Sequence, residues 1–406
     1  MKPELARRIV FTLGALLVFR LGSHIPVPGI NDAGYRAIMS SHGVGIGRAP
    51  PSVSLFSLGL VPYLSAAILL QLVSMVSARF AGFAAGSEAG RRKTARYALA
   101  LAALLAAFQA FGIASALQDI PGLVSNLDGF FVTSMILTLT GGMIFLVWLS
   151  ELITAFGVGN GIALILFAGV VVTLPSEIAG VFEFIRQGRL SAADAAWLFV
   201  VWAGFVVLVV FAELARRRVP VEFAARMLGE RRLPARSGHL SFKLNHAGVV
   251  PIIVAPWLFS LLLIPAILVL RQISPALAAS LQQLQLGHSS MIILTAAIVV
   301  FAFIYTAFVA DPERAANSLN KLGGVIPGVE PGEPTAAHID HVVSYTACVG
   351  AAYLAAIFLL PTVLATYSQA PFYLAGTSVL IVVCVVLDIK TMVRDQSLTE
   401  PGGVFS

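Results

Sequence analysis

The sequence predicts an all-α polytopic membrane protein built from ten transmembrane helices. Three observations carry that reading. Of the 406 residues, 58% are hydrophobic and only 11% are charged, with a mean hydropathy of +0.91, whereas a water-facing globular surface needs about 25% charged residues. Ten largely apolar stretches have the length that crosses a hydrocarbon core, about 20 residues of helix each. The basic residues gather between these stretches instead of spreading across them.

Taken in order, the stretches fall at 6–23, 54–77, 95–117, 130–154, 161–181, 194–213, 247–270, 289–310, 343–364 and 371–391. Lys2, Arg7 and Arg8 precede the apolar run Ile9–Phe19 as in a signal peptide. The chain continues Arg20-Leu-Gly-Ser-His with no small-residue cleavage site, so the run is read as a retained first span. With the N-terminus in the cytoplasm, 20 of the 26 Lys and Arg fall on the cytoplasmic side, which predicts that both termini are cytoplasmic. Ten spans split five and five force the two halves to enter the membrane from opposite sides. That is the geometry of inverted repeats, with a pathway at their interface.

Two long cytoplasmic loops stand out. Residues 214–246 hold Arg216, Arg217, Arg218, Arg226, Arg231, Arg232, Arg236 and Lys243. Such a loop either sets topology and meets anionic lipid heads or docks an acidic partner. Residues 311–342 carry the Gly/Pro-rich tip Gly323–Pro334. The net charge of +6 is concentrated in such loops, which argues against nucleic acid as its cause.

The spans offer little chemistry. Glu151, Glu213 and Asp388 sit near cytoplasmic span ends, and the deeper polar residues Gln71, Gln109, Thr138 and Thr140 are neutral. Ion-coupled transport, which keeps ionisable groups near mid-membrane, is disfavoured. Cys348 and Cys384 form no CxxC pair and read as packing residues. His338, Asp340 and His341 lack a further ligand pair for a metal. Gly157-Val-Gly-Asn-Gly161 lacks the preceding strand of a phosphate-binding loop and reads as a tight turn into a span. No enzyme is predicted.

Seven motifs, in register with the spans, resemble one family. They are Pro26-Val-Pro-Gly-Ile30, Ser57-Leu-Gly-Leu-Val-Pro-Tyr-Leu-Ser65, Gly90-Arg-Arg-Lys93, Gly157-Val-Gly-Asn-Gly-Ile162 with Phe167-Ala-Gly169, Lys243-Leu-Asn-His-Ala-Gly-Val-Val-Pro251, Ile326-Pro-Gly-Val-Glu-Pro-Gly332 and Pro371-Phe-Tyr-Leu-Ala-Gly-Thr-Ser378. The chain resembles the SecY family, channel subunits of the bacterial Sec protein translocase, from the first span to about Lys390.

That resemblance implies a clamshell of two inverted five-helix halves around an hourglass pore. The N-terminal half would span residues 1–181, with a plug region near 31–53. The C-terminal half would span 182–406, with docking loops 214–246 and 311–342. A hinge would lie at Val181–Ala192. The resemblance places a pore ring of aliphatic side chains at Leu60, Leu64, Ile162, Leu166, Ile253 and Ile381. Such a ring excludes ions by dewetting yet can seal around a moving chain. Gln71 and Asn245 match positions with polar contacts at the lateral gate; a simple interhelical bond is the alternative. Arg231, Arg232 and Glu330 fall on the docking loops. The implied function is translocation of secretory proteins across, and insertion of membrane proteins into, the cytoplasmic membrane. The implied partners are SecE and SecG, the SecA motor or the ribosome, and unfolded polypeptides with signal sequences. No cofactor is implied.

Two departures from the family pattern matter. The segment between Ile30 and Gly59 is about eight residues short, and Gly43-Val-Gly-Ile-Gly-Arg-Ala-Pro-Pro51 disfavours helix, which predicts a reduced or missing plug. Glu330 stands where the family usually has arginine. Either a SecA partner has compensated, or this is a divergent or second copy.

Overall fold

The computed structural model describes residues 3–31, 34–35, 53–76, 88–118, 120, 122–124, 129–223, 226–228, 231–233, 236–286, 289–368 and 376–398. The expected plug segment Gly43–Pro51 lies outside the described residues. The helices are α1 (Pro3–Gly22), α2 (Val61–Val76), α3 (Glu88–Gln118), α4 (Gly129–Phe156), α5 (Gly161–Arg186), α6 (Ala192–Leu214), α7 (Val250–Ile273), α8 (Pro275–Leu286), α9 (Ser289–Val309), α10 (Pro312–Lys321), α11 (Glu333–Ser368) and α12 (Gly376–Leu398). Between α6 and α7 run strands β1 (Arg216–Phe223), β2 (Arg226–Leu228), β3 (Arg231–Leu233) and β4 (Arg236–Lys243), and β5 (Gly324–Val325) follows α10.

Among the described residues, seven helices are long and apolar enough to cross a membrane: α3 from Arg92, α4, α5, α6, α7, α9 and α11 up to Leu364. Helices α1, α2 and α12 occupy the other three expected stretches. Helix α2 is only 16 residues long, and α1 and α12 carry several charged side chains.

The chain divides into two compact units, Met1–Phe199 with Leu364–Ser406, and Val200–Val363. Whereas the sequence reading parts the chain at 181/182, the compact division sends α12 back to the first unit, where it packs on α5.

In the first unit α3 lies between α2 and α4. Its buried stripe repeats every fourth residue: Ala98, Ala102, Ala106, Ala110 and Ala114. Spacing of four keeps them on one helix face, and small side chains let helices approach closely where lipid removes the hydrophobic drive for association. Helix α4 buries Met135, Leu139, Met143 and Leu146 completely. The segment before α2 wedges between α1 and α4. Phe56 stacks on Phe19 at 5.9 Å and on Phe145 at 5.8 Å. Gly142 on α4 makes room for the Leu55 carbonyl, where a Cβ would collide. The extended stretch after α1 is tied on both sides, by the bridges Pro26↔Ser54 and Ile30↔Val124.

In the second unit α7, α8 and α9 pack together. The expected loop 214–246 folds as an antiparallel ribbon within the otherwise helical architecture. β1 pairs with β4 from Arg216↔Lys243 to Phe223↔Arg236, and β5 adds to the other edge of β1 at Glu222↔Val325. β2 and β3 pair as a separate short hairpin. Alternation explains β1: Val219 and Val221 are buried while Arg218, Pro220 and Glu222 are exposed, the period-two pattern of a half-buried strand. Pro220 is tolerated because β5 reaches only Glu222 and Phe223, leaving that edge open beside the proline.

Val219 and Val221 join Ala316, Leu319, Ile326, Ile339 and Val343 in one buried cluster. The ribbon, α10 and the first turns of α11 thus share a core of their own. Relative to water, burial of each large aliphatic side chain in such a core is worth about 1.5–3 kcal/mol. Helix α10 is started by Asp311, whose Oδ1 accepts the Arg314 N–H at 2.9 Å, with Pro312 at its first position. It ends at Gly323, whose positive φ of 69° no β-carbon residue adopts cheaply.

The first half of Val181–Ala192, the stretch the resemblance reads as a hinge, is helical. Helix α5 continues to Arg186, leaving 187–191 as the connection. The Arg189 guanidinium lies 4.7 Å from the Phe184 ring centroid. Ser191 opens α6 by accepting the Asp194 N–H at 3.1 Å.

Candidate functional site

The six aliphatic positions expected to line a pore all lie at helix beginnings. Leu60 directly precedes α2 and is 1% exposed, and its carbonyl accepts the Leu64 N–H at 3.0 Å. Leu64, Ile162, Leu166 and Ile253 are half-buried, in the first two turns of α2, α5 and α7. Ile381 is buried in the second turn of α12. The structure brings α5 and α12 together, and with them the helices bearing Ile162, Leu166 and Ile381. Ile253 belongs to the other compact unit.

Local structure fixes Ile162 in particular. Asn160 caps α5, its Oδ1 accepting the N–H groups of Ile162 at 3.0 Å and Ala163 at 3.4 Å. The turn before it is sewn to two other helices. Val158 N–H donates to Thr12 Oγ1 on α1 at 3.0 Å, and Gly161 N–H to Thr154 Oγ1 on α4 at 2.9 Å. A Cβ on Gly157 would come 2.6 Å from the Ile153 carbonyl oxygen, and one on Gly161 would collide with the Ser150 backbone. Glycine at both positions is a packing requirement, in line with the turn read from the sequence.

In the second unit a polar cluster surrounds Asn245, with partners that no motif marks. Asn245 is 3% exposed. Its Nδ2 donates to Glu213 Oε1 at 2.8 Å and to the Gly248 carbonyl at 3.2 Å, while its Oδ1 accepts the Gly248 N–H at 2.9 Å. The Tyr353 hydroxyl of α11 donates to the same Glu213 Oε1 at 3.2 Å. One carboxylate therefore links the end of α6, the turn into α7 and the middle of α11. Charge-assisted bonds of this kind are roughly twice as strong as neutral ones. Next to it, His246 is half-buried, and burial, then the Lys243 charge, lowers its imidazole pKa below the usual value. Gln71 is exposed on α2.

On the loops, Arg231 and Arg232 lie in β3, opposite Leu228 and Met227 of β2. Glu330 is exposed at the tip before α11, and its carbonyl accepts the Thr335 hydroxyl at 2.7 Å. Of the two cysteines, Cys348 is exposed and Cys384 half-buried. Glu177 is a further ionisable residue within an apolar stretch. It lies within α5, half-buried, with its Oε2 lacking a hydrogen-bond partner among the described residues.

Long apolar helices joined by a charged ribbon define a class, the multi-pass α-helical membrane proteins. The comparisons narrow it. The SecY family profile matches residues 54–390. The chain is 39% identical over 420 residues to the protein translocase subunit SecY of Escherichia coli K12, covering 98% of this chain and 93% of that one. It is 38% identical over 416 residues to that of Pseudomonas aeruginosa, covering 98% and 92%. The chain belongs to the SecY family. Its fold is similar to that of a solved SecY with a plug domain, at a TM-score of 0.64 and 17% identity over 100% of this chain and 96% of that one. A solved protein-conducting channel is similar to nearly the same degree, with a TM-score of 0.63 at 18% identity and the same coverage.

Proposed function

We propose that this chain is the channel-forming subunit of a bacterial protein translocase, moving secretory polypeptides across the cytoplasmic membrane and releasing membrane segments into it. The observation that carries the reading is full-length relatedness to SecY translocase subunits. In this reading the chain has ten spans in two inverted halves, with both termini cytoplasmic and no catalytic role of its own. Leu60, Leu64, Ile162, Leu166, Ile253 and Ile381 form the seal, and Gln71 and Asn245 act at the lateral gate. Four helix starts carrying bulky aliphatics suit such a seal, because an apolar constriction blocks ions without a charged filter. SecE and SecG would complete the channel. SecA or a ribosome would dock on the ribbon and the Glu330 tip, where Arg231 and Arg232 supply positive charge. The exposed Glu330 supports a partner adapted to it or a specialised second copy.

Depletion tests the reading. With no other SecY present, loss of this chain should stop export of a signal-peptide reporter within a few doublings; continued export at the normal rate would sink the proposal. Within it, Ile381→Asn should hydrate the seal and raise export of reporters with defective signals. Unchanged stringency would remove Ile381 from the ring.

A further inference from the structure

The two long strands of the ribbon run directly into the polar cluster. At the ribbon's base Leu244 N–H donates to the Ala215 carbonyl at 3.1 Å. Ala215 lies two residues beyond Glu213, and Leu244 immediately precedes Asn245. The pairing therefore ends where the Glu213 carboxylate meets the Asn245 amide. Glu213 sits in the last turn of α6, at the negative end of a helix dipole, an unfavourable place for a carboxylate. The donors Asn245 Nδ2 and Tyr353 O–H offset that cost. The Asn245 amide, in turn, is fully engaged by Glu213 and by both backbone groups of Gly248. Helix α11 reaches the cluster because Gly350 has no side chain; a Cβ there would lie 2.8 Å from the Leu244 carbonyl oxygen.

We propose that Glu213 is a positioning residue that clamps the base of the ribbon and fixes the Asn245 amide, so that displacement of the ribbon by a docked partner releases the start of α7. The purpose of the release rests on the channel reading. The sequence of events is mechanical. A shift of the Ala215–Leu244 pair draws Glu213 from Asn245. The amide is then free to take another partner, and the turn at Gly248, whose φ is +62°, lets the first turn of α7 and Ile253 move.

The test uses the full chain as the sole SecY in cells, with Glu213→Gln, Glu213→Ala, Tyr353→Phe and the Glu213→Ala/Tyr353→Phe double variant. Protein amount is measured alongside export of an intact-signal and a defective-signal reporter. Glu213→Ala should raise the defective-to-intact ratio roughly tenfold, the scale set by losing the charged hydrogen bond that holds the Asn245 amide. Glu213→Gln keeps an acceptor oxygen and should fall near wild type, whereas a merely structural role would lower both reporters with the protein amount. Tyr353→Phe should give a smaller rise, and the double variant no more than Glu213→Ala. A flat ratio in Glu213→Ala at normal protein amount overturns the clamp, as does full additivity in the double variant. If Glu213→Ala fails to accumulate, a flat ratio in Tyr353→Phe overturns it. Failure of the wild-type chain to export the intact-signal reporter overturns the channel reading and the clamp with it; normal wild-type export with a flat ratio overturns the clamp alone.

Discussion

The turn joining α4 to α5 and the base of the β1–β4 ribbon both connect a helix end to the element that follows, yet different forces hold them. The turn is held by contact. Backbone approaches backbone at Gly157 and Gly161, with no space for even a methyl group, and the hydroxyls of Thr12 and Thr154 accept N–H groups of the turn at 3.0 and 2.9 Å. The ribbon base is held by one carboxylate shared between an amide and a phenol. Steric joints have no second arrangement, because a packed interior is as dense as a crystal. Hydrogen-bonded joints can exchange partners. The comparison teaches which joint is built to stay and which can give.

The sharpest way to break this contrast is at Gly161. Gly161→Val should cost about 3 kcal/mol or more, since overpacking against backbone cannot be relieved by a rotamer change. Thermal unfolding in detergent and the amount of monodisperse protein would register it. A Gly161→Ala variant as stable as wild type would show that the turn is not sterically fixed. Next comes Gly324→Val in the core beneath the ribbon. The new Cβ would approach Leu319 Cδ1 at 2.6 Å and Phe223 Cε1 at 2.8 Å. Those are side-chain atoms that can move, so the expected cost is smaller, about 2 kcal/mol. Limited proteolysis should then cut between 214 and 246 while the membrane helices remain protected.

Asn160→Ala removes a cap without touching the packing and should cost about 1 kcal/mol. Faster amide exchange at Ile162 and Ala163, with exchange in α4 unchanged, is the signature. The smallest effect is a pH dependence at the ribbon base. Because the folded protein depresses the His246 pKa, the unfolded chain takes up the proton first. The stability contribution is complete above the unfolded histidine pKa of about 6.5. It declines as pH falls toward and through the folded value. Melting curves between pH 7.5 and about 5 should show that decline in wild type and a flatter profile in His246→Gln; parallel profiles would remove His246 from the account.

The membrane helices were legible because hydropathy and length constrain them strongly: each of the ten apolar stretches contains or overlaps a helix. The ribbon was not, because a charge survey treats a basic segment as loop. Its signal was present in Arg218-Val-Pro-Val-Glu-Phe, a period-two pattern, but the proline masks it. Helix α8 was missed because Pro275–Leu286 is too short and too rich in glutamine to register as a span. Asn245 was picked out by its motif, whereas its partner Glu213 read only as a span boundary and Tyr353 as one aromatic among many. No pattern in one sequence joins residues 32 and 140 positions apart; only folding does. Glu177 was hidden by its apolar neighbours.

Helix α11 has a consequence of its own. It is a single helix of 36 residues, about 54 Å at 1.5 Å per residue, while a hydrocarbon core is about 30 Å thick. Ile339 and Val343 lie in the ribbon's core, and Leu354 and Ile357 are completely buried further along. From Ile339 to Ile357 is about 27 Å of axis, before Pro361 interrupts the backbone bonding. An unbroken helix is a stiff rod, so the ribbon's core and the positions buried around Leu354 and Ile357 share one rigid element. The first place along it where that stiffness is relieved is Pro361.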